Sequence, residues 1–295
     1  MLKPELGQPA GNCDKQGRYL QTGVISLDGS GHLAENIGTS FACPPVSAIT
    51  SNVYRELDTA PGAASTTLAR AMEIHAAFMR NTGPLDAKSV RYFGIGCPPD
   101  VEEITNCRQS AATLVMQVDV PSRDIFEKRD FPMPPCLIKE RGLQCDIFMT
   151  LLYDCPVDKK FDMEYCRTSV TASLGTLSLD EEGEEKYHRE IPPAPDKMHE
   201  HHQPDIYKHG YGWSPLKLYY RRFRRGPVKP WRLTLEALNR AEYDSDDHQP
   251  VVLLITIRSF DANDHVYDEL VQSITRLGWA MGDLNLKSRV RQRNR

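Results

Sequence analysis

The stretch Gly38-Thr39-Ser40-Phe41-Ala42-Cys43-Pro44-Pro45-Val46-Ser47-Ala48 decides how this chain is read. A Gly-Thr-Ser step stands directly before an apolar run at helical spacing: Phe41, Ala42, Val46, Ile49, Val53, Tyr54 and Leu57. That pattern predicts a helix from Ser40 to about Leu57, with Ser40 at its N-terminus. Backbone N–H groups there lack intrahelical acceptors and face whatever lies beside the side chain. Pro44 falls in the opening turn, where its missing N–H costs little. Gly38 allows another backbone, or a bound peptide, to come close. A serine so placed is either an N-cap or a nucleophile.

The string resembles the active-site serine signature of the subtilisin-like serine peptidases, Gly-Thr-Ser-x-Ala-x-Pro followed by small residues. Gly38, Thr39, Ala42 and Pro44 match its fixed positions around Ser40. Upstream, Lys3-Pro4-Glu5-Leu6 with Pro9 and Gly11 is similar to the Lys-Pro-Asp-x-x-Ala-Pro-Gly segment that precedes the serine in that family. Glu5 replaces the usual Asp, Gln8 the Ala and Ala10 the Gly. The resemblance implies a serine endopeptidase acting on a peptide or protein substrate. Ser40 is then the nucleophile, and its own backbone N–H is one oxyanion donor. It also implies an α/β fold over residues 1–110, the end of a parallel-sheet catalytic domain.

The same resemblance leaves the triad incomplete. The family's Asp, His and oxyanion Asn all precede the serine by long intervals, yet only 39 residues stand before Ser40. An upstream segment or a partner chain is expected to supply them. Asp28-Gly29-Ser30 and His209-Gly210 echo the lost motifs but read as turns, and His32 reads as part of a hairpin tip. Opposed to the enzyme is a non-catalytic relic that binds peptides or scaffolds through its β region.

Bulk properties narrow the field. The chain has 295 residues, 40% hydrophobic and 26% charged, which suits two domains with real cores. A net charge of −4 argues against nucleic acid as the main partner. No apolar run reaches the roughly 20 residues of a membrane helix. The start Met1-Leu2-Lys3-Pro4-Glu5 has no signal-peptide core, so a cytoplasmic location is expected if the start is genuine. The eight cysteines, spread through apolar segments, read as free buried thiols. No metal or cofactor motif is present: His199-Glu200-His201-His202 lacks the spacing of a zinc helix, and the Gly94-x-Gly96 step runs into prolines.

Outward from the serine, residues 18–27 read as a hairpin arm ending at Asp28-Gly29-Ser30-Gly31. A second helix is expected over about 63–80, with Leu68, Met72, Ala76 and Met79 on one face and His75 packed close by. Residues 86–110 read as a connector, with a short helix opening at Asp100. From 111 to 285 the texture turns to β: 112–118, 145–153, 164–174, 231–238 and a buried central strand over 251–257. We expect a β-sandwich of eight or so strands, broken by a polar insertion at about 180–214. The run Lys217 to Arg225 mixes cations with aromatics. It reads as a single-strand nucleic-acid binder or as a hairpin with a charged outer face turning at Gly226-Pro227. A short helix over 267–278, with Leu270, Ile274 and Leu277 on one side, precedes a basic tail at 286–295.

Overall fold

The structure, a computed structural model, describes residues 4–18, 23–58, 64–81, 90, 92–122, 124–192, 213–240, 243 and 248–278. The chain divides into two compact units, one of Lys3–Thr82 and Lys88–Ile104, the other chiefly of Thr105–Arg295.

The first unit holds a hairpin, β1 (Val24–Leu27) and β2 (Leu33–Asn36), and the helices α1 (Cys43–Leu57) and α2 (Thr66–Arg80). Asp28 makes the hairpin tip, its Oδ1 accepting from the N–H groups of Ser30 and His32 at 2.8 and 2.9 Å. The pair is antiparallel. The parallel-sheet end expected over 1–110 finds no parallel strand pair among the described residues. Ser65 caps α2 by accepting from Leu68 N–H. That helix is wrapped more fully than a single apolar face predicts. Leu68, Ala69, Ala71, Ile74, Ala76, Ala77 and Phe78 are buried, while Met72 and Met79 are only partly so. Its alanines are the physical reason, because small side chains let neighbours close in on several sides.

The amino-terminal segment is tied to the Gly94–Gly96 turn. Ile95 N–H donates to Glu5 O at 2.8 Å and Gly7 N–H to Gly96 O at 3.0 Å. Gly94 adopts φ +60°, and a Cβ there would lie 2.5 Å from the Glu5 carbonyl oxygen, so only glycine fits. The Glu5 carboxylate in turn accepts from both Nε (2.9 Å) and Nη2 of Arg70 on α2. The short helix α3 (Val101–Thr105) starts as expected, with Asp100 Oδ1 accepting from Glu103 N–H.

Two charged-type side chains are buried on α2. Thr50 Oγ1 of α1 donates to Glu73 Oε2, while Glu73 Oε1 has no hydrogen-bond partner. Burial raises the Glu73 carboxyl and lowers His75 to about 3. The pH consequences oppose each other. His75 stays neutral in the folded chain while an unfolded one takes up a proton below about 6.5, so its contribution falls with pH from there toward 3. The loss is about 2 kcal/mol at pH 5, and His75→Gln is expected to flatten that decline in urea melts. Glu73 acts in the other direction: its contribution is present at acid pH and is lost as pH rises above 4.5 through its raised value. Glu73→Gln should therefore stabilise at pH 7, by about 1 kcal/mol.

The second unit is a β-sandwich, and the β-rich expectation holds there. One sheet has the order β4 (Ile125–Lys128), β10 (Trp231–Asn239), β7 (Thr168–Leu179), β8 (Glu185–Ile191). The other runs β3 (Ala111–Val120), β11 (Gln249–Arg258), β6 (Gly142–Leu152), with β9 (Leu216–Gly226) on the far side of β6 and the short β5 (Ile138–Lys139) hairpinned to its start. All pairs are antiparallel.

Alternation sets the core. Ile147, Met149 and Leu151 of β6 and Leu253, Ile255 and Ile257 of β11 belong to one cluster with Val170, Ala172, Leu174, Leu233 and Leu235 of the other sheet. Trp231 meets Phe223 edge-on, with centroids 5.6 Å apart. Helix α4 (Val266–Arg276) adds Val266, Leu270 and Ile274 to that core. Leu277, expected with them, lies beyond the helix and is 40% exposed.

Three readings need correction. Residues 217–225 do not turn back at Gly226-Pro227 to pair with the next strand: β9 pairs β6, and β10 belongs to the other sheet. Pro227 and Pro230 lack the N–H groups a hairpin ladder needs, so this link carries the chain across instead. The polar insertion is shorter than 180–214, because Glu185–Ile191 forms β8. Asp180 Oδ1 closes the β7–β8 turn on Glu182 and Glu184 N–H. Residues 193–212 of that insertion, with His199–His202 and His209, lie outside the described residues, as do the basic tail and Lys3. All eight cysteines are free, but only Cys145 and Cys166 are fully buried, and Cys43 and Cys97 are exposed.

Candidate active-site serine

The chemistry of the Ser40 motif starts with its two prolines. An α-helix beginning at Ser40 would need N–H groups at positions 44 and 45 to bond the carbonyls of Ser40 and Phe41, and proline has none. The α-helical ladder therefore starts later. Helix α1 begins at Cys43, with Ala42 as N-cap and no side-chain cap. Thr39–Phe41 forms a separate 3-10 turn, closed by Phe41 N–H to Gly38 O at 2.9 Å and Ala42 N–H to Thr39 O at 3.1 Å. The N–H groups of Thr39 and Ser40 lie at its open end. Ser40 is thus one short turn upstream of the helix it was expected to begin.

Ser40 is exposed, as is Thr39. Its hydroxyl caps neither the 3-10 turn nor α1, so the capping role does not explain it. Gly38 N–H donates to Ala10 O at 3.0 Å, which fixes the entry to the turn. A Cβ on Gly38 would meet only the Phe41 ring, at an ordinary 3.6 Å, so internal packing does not demand glycine there. Ala42 is partly buried and Pro44 is exposed in the first turn of α1.

No histidine or carboxylate among the described residues hydrogen-bonds Ser40. Asp28 and His32 approach one another, but at 3.8 Å between Oδ2 and Nδ1, with side chains 45% and 81% exposed. That separation is too long for the hydrogen bond that orients a catalytic base. Asp28 instead serves its own turn, as the sequence suggests. His75 is buried and held neutral, so it offers no stand-in. Among the described residues no three His, Cys, Asp or Glu side chains gather as a metal site, and no helix is long and apolar enough to cross a membrane.

A second polar assembly, on the sandwich, escapes the sequence reading. Asp146 is the one charged residue of β6 and accepts from Arg222 Nε and Nη2 (2.8 and 3.0 Å), Arg258 Nη2 (3.1 Å) and Tyr220 OH (2.9 Å). The visible signal was a lone carboxylate inside a largely apolar strand, which requires a cation opposite it. The run 217–225 also separates by pleat: Lys217 points inward to Ser169, Arg221 pairs with Glu190, and Arg222 holds Asp146.

Compared with protein-family models and with curated proteins, the sequence matches none.

Proposed function

We propose that the chain carries the nucleophile of a subtilisin-like serine endopeptidase. One observation carries the reading: Ser40, inside a string that fits the family's serine signature, is exposed and has no structural task in its own turn. Its Oγ would attack the scissile carbonyl and pass its proton to a base. The tetrahedral oxyanion would draw on the Ser40 N–H at the open end of the 3-10 turn. Gly38, not required by internal packing, would leave room for the substrate backbone. Thr39, Ala42 and Pro44 shape the turn. The base, its orienting carboxylate and the second oxyanion donor are assigned to an upstream segment or partner chain beyond the given sequence. In this reading the first unit is the end of the family's α/β domain, and the substrate is a peptide or protein.

The test is covalent labelling with a fluorophosphonate probe, both of the purified chain and of the chain in extract of its source cell. Mass mapping should place the adduct on Ser40 in extract, and Ser40→Ala should abolish it. Labelling in extract alone would confirm that the remaining catalytic groups arrive from another polypeptide. Absence of a Ser40 adduct in both settings would overturn the proposal in favour of the non-catalytic scaffold.

A further inference from the structure

A buried carboxylate flanked by cations in register is a way of holding guanidinium groups still. Asp146 lies directly across from Arg222 on β9 and from Arg258 on β11, so all three project from the same face of the sheet. The Asp146 side chain is only 3% exposed. Burial alone would raise its carboxyl, but hydrogen bonds from Arg222, Arg258 and Tyr220 together bring it below the ordinary carboxylate range. The arginines are further seated on rings, Arg222 over Phe260 at 5.3 Å and Arg258 over Phe148 at 4.7 Å. Their conformational freedom is spent in the fold itself, before any ligand arrives.

What these groups surround is a cavity of about 450 Å³, lined by Asp146, Arg222, Arg224, Arg258, Ser259 and Phe260. Arg222 engages Asp146 through Nε and Nη2 and Arg258 through Nη2, which leaves an Nη1 donor pair on each. Arg224, two residues along β9 and therefore on the same side of the pleat, makes no ion pair or hydrogen bond among the described residues. The nearby acids are otherwise engaged. Asp264 accepts from Ser259 Oγ at 2.6 Å and pairs with Lys139 at 2.9 Å, and Asp261 accepts from Asn263. Among the lining residues, three guanidinium groups against one carboxylate leave two positive charges, and Asp261, bonded to the neutral Asn263, is not one of that lining.

We infer that this cavity binds a phosphate monoester. A phosphate monoester carries about −1.5 to −2 charges at neutral pH and three acceptor oxygens, which matches both the excess charge and the number of cations. A carboxylate would leave one positive charge unmatched, and Asp146 already fills the carboxylate-shaped position between Arg222 and Arg258. The volume far exceeds a bare phosphate and falls within the range of small-ligand sites. The esterified group therefore has room beside the Phe260 ring. This site is independent of Ser40 and of the peptidase reading.

The experiment is calorimetric titration of the full chain with inorganic phosphate, phenyl phosphate, benzoate and a phosphoserine pentapeptide, at low and at physiological salt. Phenyl phosphate should bind tighter than inorganic phosphate, and at least tenfold tighter than benzoate. Binding should weaken as salt rises. Arg224→Gln, at an exposed position, should weaken phenyl phosphate about tenfold with an unchanged circular dichroism spectrum. A phosphopeptide that outcompetes phenyl phosphate would locate the source in a protein, and the reverse order would locate it in a small metabolite. Equal affinities for wild type and Arg224→Gln, or no heat with any phosphate up to about 10 mM, would overturn the assignment.

Discussion

Tyr153→Phe, the removal of a single oxygen atom, is expected to lower the stability of the sandwich by about 2–3 kcal/mol. The reason lies in an uneven ladder. Strand β7 pairs with β10 from Thr168 to Thr176, but β8 joins it only from Leu174 onward. The first half of β7 thus has backbone groups with no strand beside them. Tyrosines supply the missing partners from the opposite sheet and its end. Val170 N–H donates to Tyr153 OH at 3.0 Å, and that hydroxyl donates to Thr168 O at 3.3 Å. Ala172 N–H similarly reaches Tyr219 OH at 3.4 Å. Tyr153 is 1% exposed, so no water replaces what phenylalanine lacks, and a buried N–H is left unpaired. Urea titration followed by tryptophan fluorescence measures the loss. A change under 1 kcal/mol would show that the ladder does not depend on this hydroxyl.

The second large effect has the opposite sign. Lys217 projects from β9 into the sandwich, 6% exposed, with Nζ donating to Ser169 Oγ at 2.8 Å. Burial lowers its amine from the ordinary 10.5 to about 8. At pH 7 both folded and unfolded chains hold the proton, and the folded state bears the cost of a desolvated cation, about 3 kcal/mol. Lys217→Met keeps the length and apolar stem but removes the charge. It should therefore stabilise the unit at pH 7, by about 2 kcal/mol after allowing for the lost hydrogen bond. The sign can be checked by pH. Between about 8 and 10.5 the unfolded chain still binds a proton that the folded one has released, so wild-type stability rises with pH across that window. The advantage of the variant should shrink accordingly. A constant difference from pH 7 to 10 would mean that the buried amine is not the source.

Much of the sandwich is legible in the residues. Val251 to Ile257 reads as a buried central strand because both of its faces are apolar, and β11 does lie between β3 and β6. The Asp28 turn follows from local chemistry and stands where the residues place it, and the second helix, expected from about 63, starts at Thr66 behind its Ser65 cap. The assignments that fail depend on partners distant in sequence. The basic run at 217–225 looks like a hairpin arm until its partner proves to be β6, and nothing within the run encodes that choice. The acidic stretch at 180–185 looks like the start of a loop, yet a five-residue turn, 180–184, returning into β8 has the same composition. At the candidate site, Ser40 stands between the polar Thr39 and the apolar Phe41, and its exposure is not legible in them. Its displacement from the helix end follows from counting the N–H groups that Pro44 and Pro45 lack. The groups that would activate the serine have no counterpart among the described residues. The Arg222–Asp146–Arg258 array is hidden for the same reason as β9, since its members meet only through strand register.

The pairing of β3 with β11 sets a schedule for biosynthesis. Thr113 and Thr256 share a hydrogen bond at 2.6 Å although 143 positions separate them along the chain, and β3 has no other described strand beside it. A ribosome releases β3 long before the strand that will shelter it exists. Until β11 emerges, Leu114, Met116 and Val118 belong to an open ribbon whose closure entropy has yet to be recovered. The nascent protein is therefore most exposed to aggregation during the interval between those two strands, when a holdase chaperone has the most to cover.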